Sequence, residues 1–367
     1  MREQSFAFSS DGVVLRGTLT LPEGGASAPP AAIALLLSGS GPQDRDESAG
    51  EVRPFKVLAA QLAALGYAVL RWDDRGVGES EGDYLSVSAH QLCRDALAAA
   101  VALPRAWAAP HEVFTAPSPP LILVGHSQGA LIGACIAAAL AEASPRDGLV
   151  ETANLLVNPI AGLVLLAGMA LSGRETLLIQ HEALAVAEGW TAEDVTETLA
   201  QKRRLFDVLQ AADSSSDEAR LGAHLSEILT EAAGDLAEAP AWLEERDAVV
   251  ADLLEWEWRY LLGADPTEHL AHVGCPVLAL FGERDLHVSA ARHAPAFARV
   301  CQDSGLRGLA TVVPGANHLF QQTDDGRSAA WFTGGDPFAP PFSALLEAGM
   351  KALELLPSAI SPETGPS

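Results

Sequence analysis

Short runs of apolar residues recur along the chain, separated by polar or glycine-rich stretches that are typical of turns. Two early runs, residues 6–8 and 13–21, flank Asp11-Gly12, and this arrangement predicts a β-hairpin. Later apolar runs alternate with helical patterns, such as the one at 86–103, which predicts strand–helix units around a mostly parallel sheet. The other predicted strands are 31–37, 66–72, 121–124, 160–167, 275–281 and 308–313.

The segment from residue 172 to residue 265 differs in composition from the rest of the chain. It is acidic, rich in Ala, Leu and Glu, and helical in period, and Thr191-Ala192-Glu193-Asp194 fits a capping box. Gly234 predicts a break, and Ser214-Ser215-Ser216 predicts a loop. Because the segment separates two strands of one sheet, we expect it to lie over a face or over the site. The predicted organisation is an α/β core at 1–171, an inserted helical lid at 172–265, and the second part of the core at 266–367.

A serine flanked by glycines follows the predicted strand at 121–124. The sequence Gly125-His126-Ser127-Gln128-Gly129 has the G-x-S-x-G spacing of a nucleophile elbow, in which the serine occupies a strained strand-to-helix turn. Glycine at the flanking positions lets the strand and the helix pass close together. Ser127 would then project its hydroxyl above the sheet, and the N–H of Gln128 would face the same space at the helix N-terminus. The pattern favours a catalytic serine over an ordinary strand–helix connection.

A nucleophilic serine needs a base and an acid that orients it, and in this architecture they follow in the order serine, acid, histidine. Asp285 follows the predicted strand at 275–281, and His318 lies on the loop after the strand at 308–313. Both loops leave the carboxyl edge of the predicted parallel sheet, where Ser127 also lies. The sequence therefore predicts a triad of Ser127, His318 and Asp285.

Other side chains near this edge have alternative interpretations. Glu283 stays open as the orienting acid, because it is only two residues from Asp285. His287 and His293 come too soon after Asp285 to follow another strand, so we interpret them as solvated loop and helix residues. His126 is interpreted as a packing and hydrogen-bonding residue of the elbow, since side chains adjacent in sequence point apart.

A glycine-rich loop, Ser38-Gly39-Ser40-Gly41-Pro42-Gln43-Asp44, follows the predicted strand at 31–37. Its glycines let the backbone turn sharply and expose an N–H group. We expect the backbone N–H groups of Ser40 and Gln128 to form an oxyanion hole. The alternative is a plain Gly-Pro turn, which would leave Gln128 without a second donor.

Together these segments resemble an α/β-hydrolase, and within that superfamily the bacterial acyl esterases and lipases related to serine aminopeptidase-like hydrolases. The segments specific to that branch are 38–46 and Gly315-Ala316-Asn317-His318-Leu319-Phe320, whereas 73–80, 125–129 and 275–285 are shared more widely. The resemblance implies the α/β-hydrolase fold, with a mostly parallel central sheet flanked by helices. In that family the loop at 73–80 shapes the floor near the site, and for Asp74 and Arg75 we favour a structural salt-bridge role over contact with the substrate. Gln128 departs from the pattern, because the resembling esterases often have an acidic residue there.

Composition and charge argue against several classes of function. The formal net charge of −25 argues against binding to nucleic acid or to anionic membrane surfaces. No apolar run approaches the ~20 residues of a membrane span, and no secretion signal is visible. The four cysteines lack the spacing of a metal site or of a disulfide framework, so we expect reduced cysteines in a cytoplasmic protein that needs no metal or cofactor. The oligomeric state is not predicted.

The predicted lid contains the clue to substrate. Trp256 and Tyr260 are four residues apart on a predicted helix, with Trp258 facing elsewhere, and they either pack or form an apolar wall for the substrate. We expect a serine hydrolase that cleaves small-molecule carboxylic esters of short to medium acyl chains through an acyl-enzyme. A peptidase or amidase is the first alternative, for which Glu244, Glu245, Glu255 and Glu257 could bind a free amino terminus. A non-catalytic ligand-binding protein of the same fold is the second.

Overall fold

The structure is a computed structural model that describes residues 1–23, 30, 32–106, 119–141, 160–212, 217–233, 240–327 and 338–355. The predicted break at Gly234 and the predicted loop at 214–216 lie outside the described residues.

The described strands form an eight-stranded sheet in the order β1-β2-β4-β3-β5-β6-β7-β8. Strands β1 and β2 form the predicted antiparallel hairpin, β2 pairs antiparallel with β4, and every later pair is parallel. The strands are β1 Arg2–Ser10, β2 Val13–Leu21, β3 Ala32–Leu37, β4 Tyr67–Trp72, β5 Leu121–His126, β6 Ile160–Leu166, β7 Val277–Gly282 and β8 Gly308–Val313.

Eleven α-helices lie within the described residues. In chain order they are α1 Pro54–Ala64, α2 Ala89–Ala106, α3 Gln128–Ala141, α4 Gly173–Glu188, α5 Ala192–Ala211, α6 Glu218–Ala233, α7 Pro240–Leu254, α8 Trp256–Gly263, α9 Pro266–Leu270, α10 Ala290–Ser304 and α11 Phe342–Ala352. Helix α2 begins three residues later than the pattern at 86–103 predicts, because a short 3₁₀ turn, Tyr84–Ser86, precedes it and is capped by the Asp83 side chain.

The central strands are buried on both faces, which explains their continuous apolar runs. Strands β3, β4, β5 and β7 are buried at every position. On one face the core includes apolar residues of α2, α3 and α10, and on the other it includes those of α1 and α11. The carboxyl ends of the parallel strands therefore meet at one edge, where loops can bring distant segments together.

Helices α4 to α8 lie between β6 and β7 in sequence and form a small apolar core of their own around Leu205, Phe206 and Leu225. Capping defines how the first two of them begin. The Ser172 side chain accepts a hydrogen bond from the N–H of Glu175, and Thr191 forms the predicted capping box with Asp194. The segment is helical as predicted.

Candidate active site

Ser127 lies between the end of β5 and the first residue of α3, in left-handed backbone geometry with φ of 52°. A non-glycine residue in this conformation is strained. The conformation directs the side chain of Ser127 away from the strand-to-helix turn and into the cavity described below. The turn depends on its two glycines. A Cβ atom at Gly125 would overlap the carbonyl of Gly129, and one at Gly129 would overlap the carbonyl of Leu37. No other residue type fits either position without moving backbone.

Asp285 and His318 are hydrogen-bonded, with 2.8 Å between Asp285 Oδ2 and His318 Nδ1. The other carboxylate oxygen, Oδ1, accepts hydrogen bonds from the backbone N–H groups of His287 at 2.7 Å and Val288 at 2.9 Å. Burial alone would raise the pKa of Asp285, but the His318 charge, the hydrogen bond from its ring and the Val288 N–H together hold that pKa below its usual value. A carboxylate fixed in this way orients the imidazole of His318.

Glu283 has a different partner. Its Oε2 atom accepts the backbone N–H of Gly315 at 2.8 Å, and Gly315 lies on the loop that carries His318. Glu283 is exposed, whereas Asp285 is 4% exposed. Asp285 therefore binds the imidazole of His318, whereas Glu283 binds the backbone of the loop that carries His318.

His287 is half-buried and His293 is buried, contrary to the interpretation of both as solvated residues. The His287 ring stacks on the His318 ring, with 4.8 Å between centroids, and its Nδ1 accepts a hydrogen bond from the Gln180 amide. His293 is fully buried, and its Nδ1 accepts the N–H of Ala170. Burial lowers the pKa of each histidine to about 4, so both are neutral near pH 7. The sequence alone did not reveal that Gln180 of α4 binds His287 or that the backbone of Ala170 binds His293.

The glycine-rich loop after β3 folds against Ser127. The N–H of Gly39 donates to Glu47 Oε1 at 2.8 Å, and the N–H of Gly41 donates to Glu257 Oε1 at 3.0 Å. Between them, the N–H of Ser40 has no protein acceptor among the described residues. Gln128 is the first residue of α3, where a backbone N–H has no partner in a preceding turn.

Charged residues near this loop form buried or half-buried pairs. Arg45 pairs with Asp73, and the buried Arg75 pairs with the buried Asp95. Asp74 forms hydrogen bonds rather than a salt bridge, accepting the N–H of Gln43 at 3.0 Å and lying 3.3 Å from the Ser38 hydroxyl. Burial raises the pKa of Asp74 to about 8, although these hydrogen bonds act in the opposite direction. The salt-bridge interpretation therefore describes Arg75 but not Asp74.

A cavity of about 450 Å³ connects the candidate residues. Its lining includes Ser127, His318, Ser40 and Gln128, together with parts of the inserted helices. Those inserted residues are Thr176, Leu177, Gln180, Glu257, Trp258 and Leu261.

Trp256 and Tyr260 are not among the residues that line this cavity. Trp256 lies between the rings of Tyr84 and Tyr260, with centroid distances of 6.0 Å and 6.2 Å, and Tyr260 packs against the main core. Trp258 contributes to the wall instead, and its Nε1–H donates to Asp252. The helical spacing could identify the aromatic pair, but it could not identify which side of α8 faces the site.

The described residues meet the requirements neither for a membrane-spanning helix nor for a cluster of metal ligands. In the described ranges, no helix is long and apolar enough to cross a membrane. In the same part of the chain, no group of three or more His, Cys, Asp or Glu side chains is placed to hold a metal ion.

Comparison with known proteins gives a consistent family. The sequence profile described as the alpha/beta hydrolase family matches residues 34–331. The chain is 31% identical to esterase EstD of Thermotoga maritima over 139 residues, a match that spans 38% of this chain and 30% of that enzyme's length.

Solved structures share the fold at low sequence identity. A proline iminopeptidase-related protein of Thermus thermophilus is 20% identical, with a TM-score of 0.50 over 96% of this chain and 99% of its own. An esterase of Pyrococcus furiosus is 14% identical, with a TM-score of 0.51 over 96% and 91% of the two chains. The profile match covers most of the sequence, and the chain therefore belongs to the alpha/beta hydrolase family.

Proposed function

We propose that the protein is a serine esterase that cleaves carboxylic esters of short to medium acyl chains through an acyl-enzyme intermediate. The observation that carries this proposal is the arrangement around the cavity. Ser127 on its strained elbow and His318 line one cavity, and Asp285 is hydrogen-bonded to His318. The three residues come from three separate segments of the chain. The family and the relation to an esterase support the same reaction class.

In this mechanism Ser127 attacks the ester carbonyl, and His318 accepts the proton of its hydroxyl. Because His318 Nδ1 is bonded to Asp285, the Nε2 atom is the one that acts as base. The N–H groups of Ser40 and Gln128 stabilise the oxyanion that forms on the carbonyl oxygen. His318 then protonates the leaving alcohol, and water attacks the acyl-enzyme with His318 again as base.

The acyl chain would bind between the core and the inserted helices. Met169 of the core and Leu177, Trp258 and Leu261 of the insert give the cavity apolar walls, and its volume suits a small substrate. On this basis we propose that residues 172–265 act as a lid that selects the acyl chain. The free cysteines of the described residues support a cytoplasmic location.

One observation favours a second candidate, a peptidase or amidase for small substrates with a free amino group. The carboxylate of Glu257 lines the same cavity as Ser127 and could pair with an ammonium group. The triad chemistry is the same for esters and amides.

A fluorophosphonate probe followed by a substrate panel tests these proposals. We expect the probe to label wild-type protein and not the Ser127→Ala variant, and nitrophenyl esters to be cleaved faster than aminoacyl anilides. Faster cleavage of the anilides would favour the peptidase. A folded protein that is neither labelled nor active on either panel would indicate a ligand-binding protein without catalysis.

A further inference from the structure

His126 lies directly before the candidate nucleophile, and its ring is buried behind the elbow. Its Nδ1 atom lies 2.8 Å from Glu47 Oε1, and its Nε2 atom lies 3.0 Å from the backbone carbonyl oxygen of His318. The residues His126 and Glu47 are each 5% exposed. These two contacts connect the elbow with two other loops of the site.

The acceptors around His126 determine where its protons lie. A backbone carbonyl oxygen can only accept, so Nε2 must carry a hydrogen. On the other side, Glu47 Oε1 also accepts the N–H of Gly39 at 2.8 Å. If His126 were neutral, its Nδ1 would hold a lone pair. Glu47 would then have to be a carboxylic acid whose hydroxyl oxygen donates to Nδ1 and also accepts from Gly39, although a hydroxyl oxygen is the weaker acceptor of such an acid. A carboxylate that accepts from both Gly39 and Nδ1 satisfies all three contacts without this conflict.

We propose that His126 is an imidazolium near pH 7, paired with the Glu47 carboxylate, and that this buried ion pair positions the glycine-rich loop after β3 and the loop that carries His318. The charge state is inferred from these hydrogen bonds together with the charges around the ring. The positioning role rests on the proposed esterase function.

The surrounding charges agree with this assignment. Burial alone would lower the pKa of His126, but the Glu47 charge, the hydrogen bonds to Glu47 and to the His318 carbonyl, and the charge of Asp285 together raise it. The His318 ring lies 4.8 Å from the His126 ring. His287, the other histidine near this cluster, has a pKa lowered to about 4 and adds no positive charge near pH 7.

Backbone strain at Glu47 is a second sign that the pair is held in place. Glu47 has φ of 52°, which is left-handed geometry that side chains of its type rarely adopt. The strained conformation directs a buried carboxylate at both the Gly39 N–H and the His126 ring. The Glu47–His126 pair thereby holds the backbone of Gly39, which precedes the proposed donor Ser40. It also holds the residue before Ser127 and the backbone carbonyl of His318, the proposed base.

Nuclear magnetic resonance of ¹⁵N-histidine-labelled protein tests the charge state. We expect both ring nitrogens of His126 to carry hydrogen near pH 7 in the wild-type protein. In Glu47→Gln we expect Nδ1 to lose its proton, because the compensating negative charge is gone. An unprotonated ring nitrogen on His126 in the folded wild-type protein would overturn the proposal, and this measurement does not depend on any variant folding.

Kinetics of the same variant test the positioning role. We expect Glu47→Gln to lower both kcat on a nitrophenyl ester and the rate of fluorophosphonate labelling by about 10- to 100-fold, with little change in KM, since small displacements of catalytic groups have effects of this size. The matched control is Glu354→Gln, which alters an exposed carboxylate paired with Arg307, outside the cavity lining, and should leave both rates unchanged.

The two readouts separate the possible failures. Unchanged kcat in a Glu47→Gln variant whose His126 has become neutral would overturn the positioning role. Wild-type protein that is neither labelled nor active on esters would refute the proposed function, while the resonance experiment would still decide the charge of His126.

Discussion

Replacing Asp285 by Asn changes one atom of the proposed triad and has a consequence that can be worked out from hydrogen bonds. In the native protein Oδ1 accepts two backbone N–H groups, from His287 and Val288, and Oδ2 accepts from His318 Nδ1. The Asn amide has one oxygen and one NH₂ group. Keeping the two buried N–H groups satisfied requires the oxygen to face them, because each unsatisfied buried donor costs about 1–3 kcal/mol.

The NH₂ group of the variant must then face His318. A donor at that position favours the tautomer in which Nδ1 carries the lone pair and Nε2 carries the proton, so the nitrogen needed by Ser127 can no longer act as a base. Loss of the correct tautomer lowers kcat by about 10²- to 10⁴-fold, which corresponds to roughly 2.7–5.5 kcal/mol of transition-state stabilisation. The fold should persist, since the two backbone hydrogen bonds remain.

The assay is kcat on nitrophenyl acetate, with thermal unfolding measured on the same samples. Glu283→Gln is the matched control, because it makes the same chemical change two residues away, on an exposed side chain that bonds the Gly315 backbone rather than the imidazole. We expect this control to stay within a few-fold of wild type. A larger loss in Glu283→Gln than in Asp285→Asn would refute the assignment and make Glu283 the orienting acid.

Three other changes have expected outcomes. Ser127→Ala should fold normally and lower ester hydrolysis by about 10⁴-fold or more, measured with the same ester; near wild-type turnover would exclude a serine nucleophile. Trp258→Ala should shift the preference among acyl chain lengths by at least about 10-fold, whereas Trp256→Ala, which changes a residue outside the cavity lining, should not; equal shifts would contradict the orientation of α8. Asp74→Asn should make the free energy of unfolding less dependent on pH. The pKa of Asp74 is about 8 in the folded state and near 4 in the unfolded state, so between these pH values the folded state holds a proton that the unfolded state has released. The free energy of unfolding is therefore highest in acid, and it falls by up to about 1.4 kcal/mol per pH unit as pH rises from about 4 to about 8. Denaturant unfolding at several pH values measures this slope, and an unchanged slope in the variant would contradict the raised pKa.

The strands and the elbow could be predicted because local chemistry determines them. Continuous apolar runs identify strands buried on both faces, and the G-x-S-x-G spacing identifies a turn that only glycine allows beside Ser127. Asp285 and His318 follow from the same reasoning, since parallel strands deliver their following loops to one edge. The hydrogen bond between them is consistent with that prediction.

The part of the cavity wall that comes from helix α8 could not be predicted, because it depends on how this short helix is rotated about its axis. Helix α8 begins at Trp256, after a break at Glu255 that separates it from α7. The apolar pattern of α7 therefore does not predict which side of α8 faces the cavity. Packing of Trp256 on Tyr84 turns Trp258 toward the cavity instead. Tertiary contacts of this kind leave no signal in the spacing of aromatic residues.

The contacts of Glu47 and His287 were missed for a related reason. Glu47 has a left-handed backbone without being glycine, and nothing in its sequence neighbours requires that conformation. His287 stacks on His318 because a glutamine from α4 holds its ring, and α4 is distant in sequence. Both cases involve polar residues whose partners lie on segments distant in sequence, His126 of β5 for Glu47 and Gln180 of α4 for His287.

The pairing of β6 with β7 has a consequence for the time course of folding. Leu163 lies opposite Val277, and the six helices α4 to α9 lie between these strands in sequence. Closing so long a loop is an entropically unfavourable and slow step, so the half of the sheet that carries Ser127 can form before the half that carries Asp285 and His318 joins it. During refolding, reactivity of Ser127 should therefore appear later than the helical signal, and its rate should report the moment at which the two halves of the sheet combine.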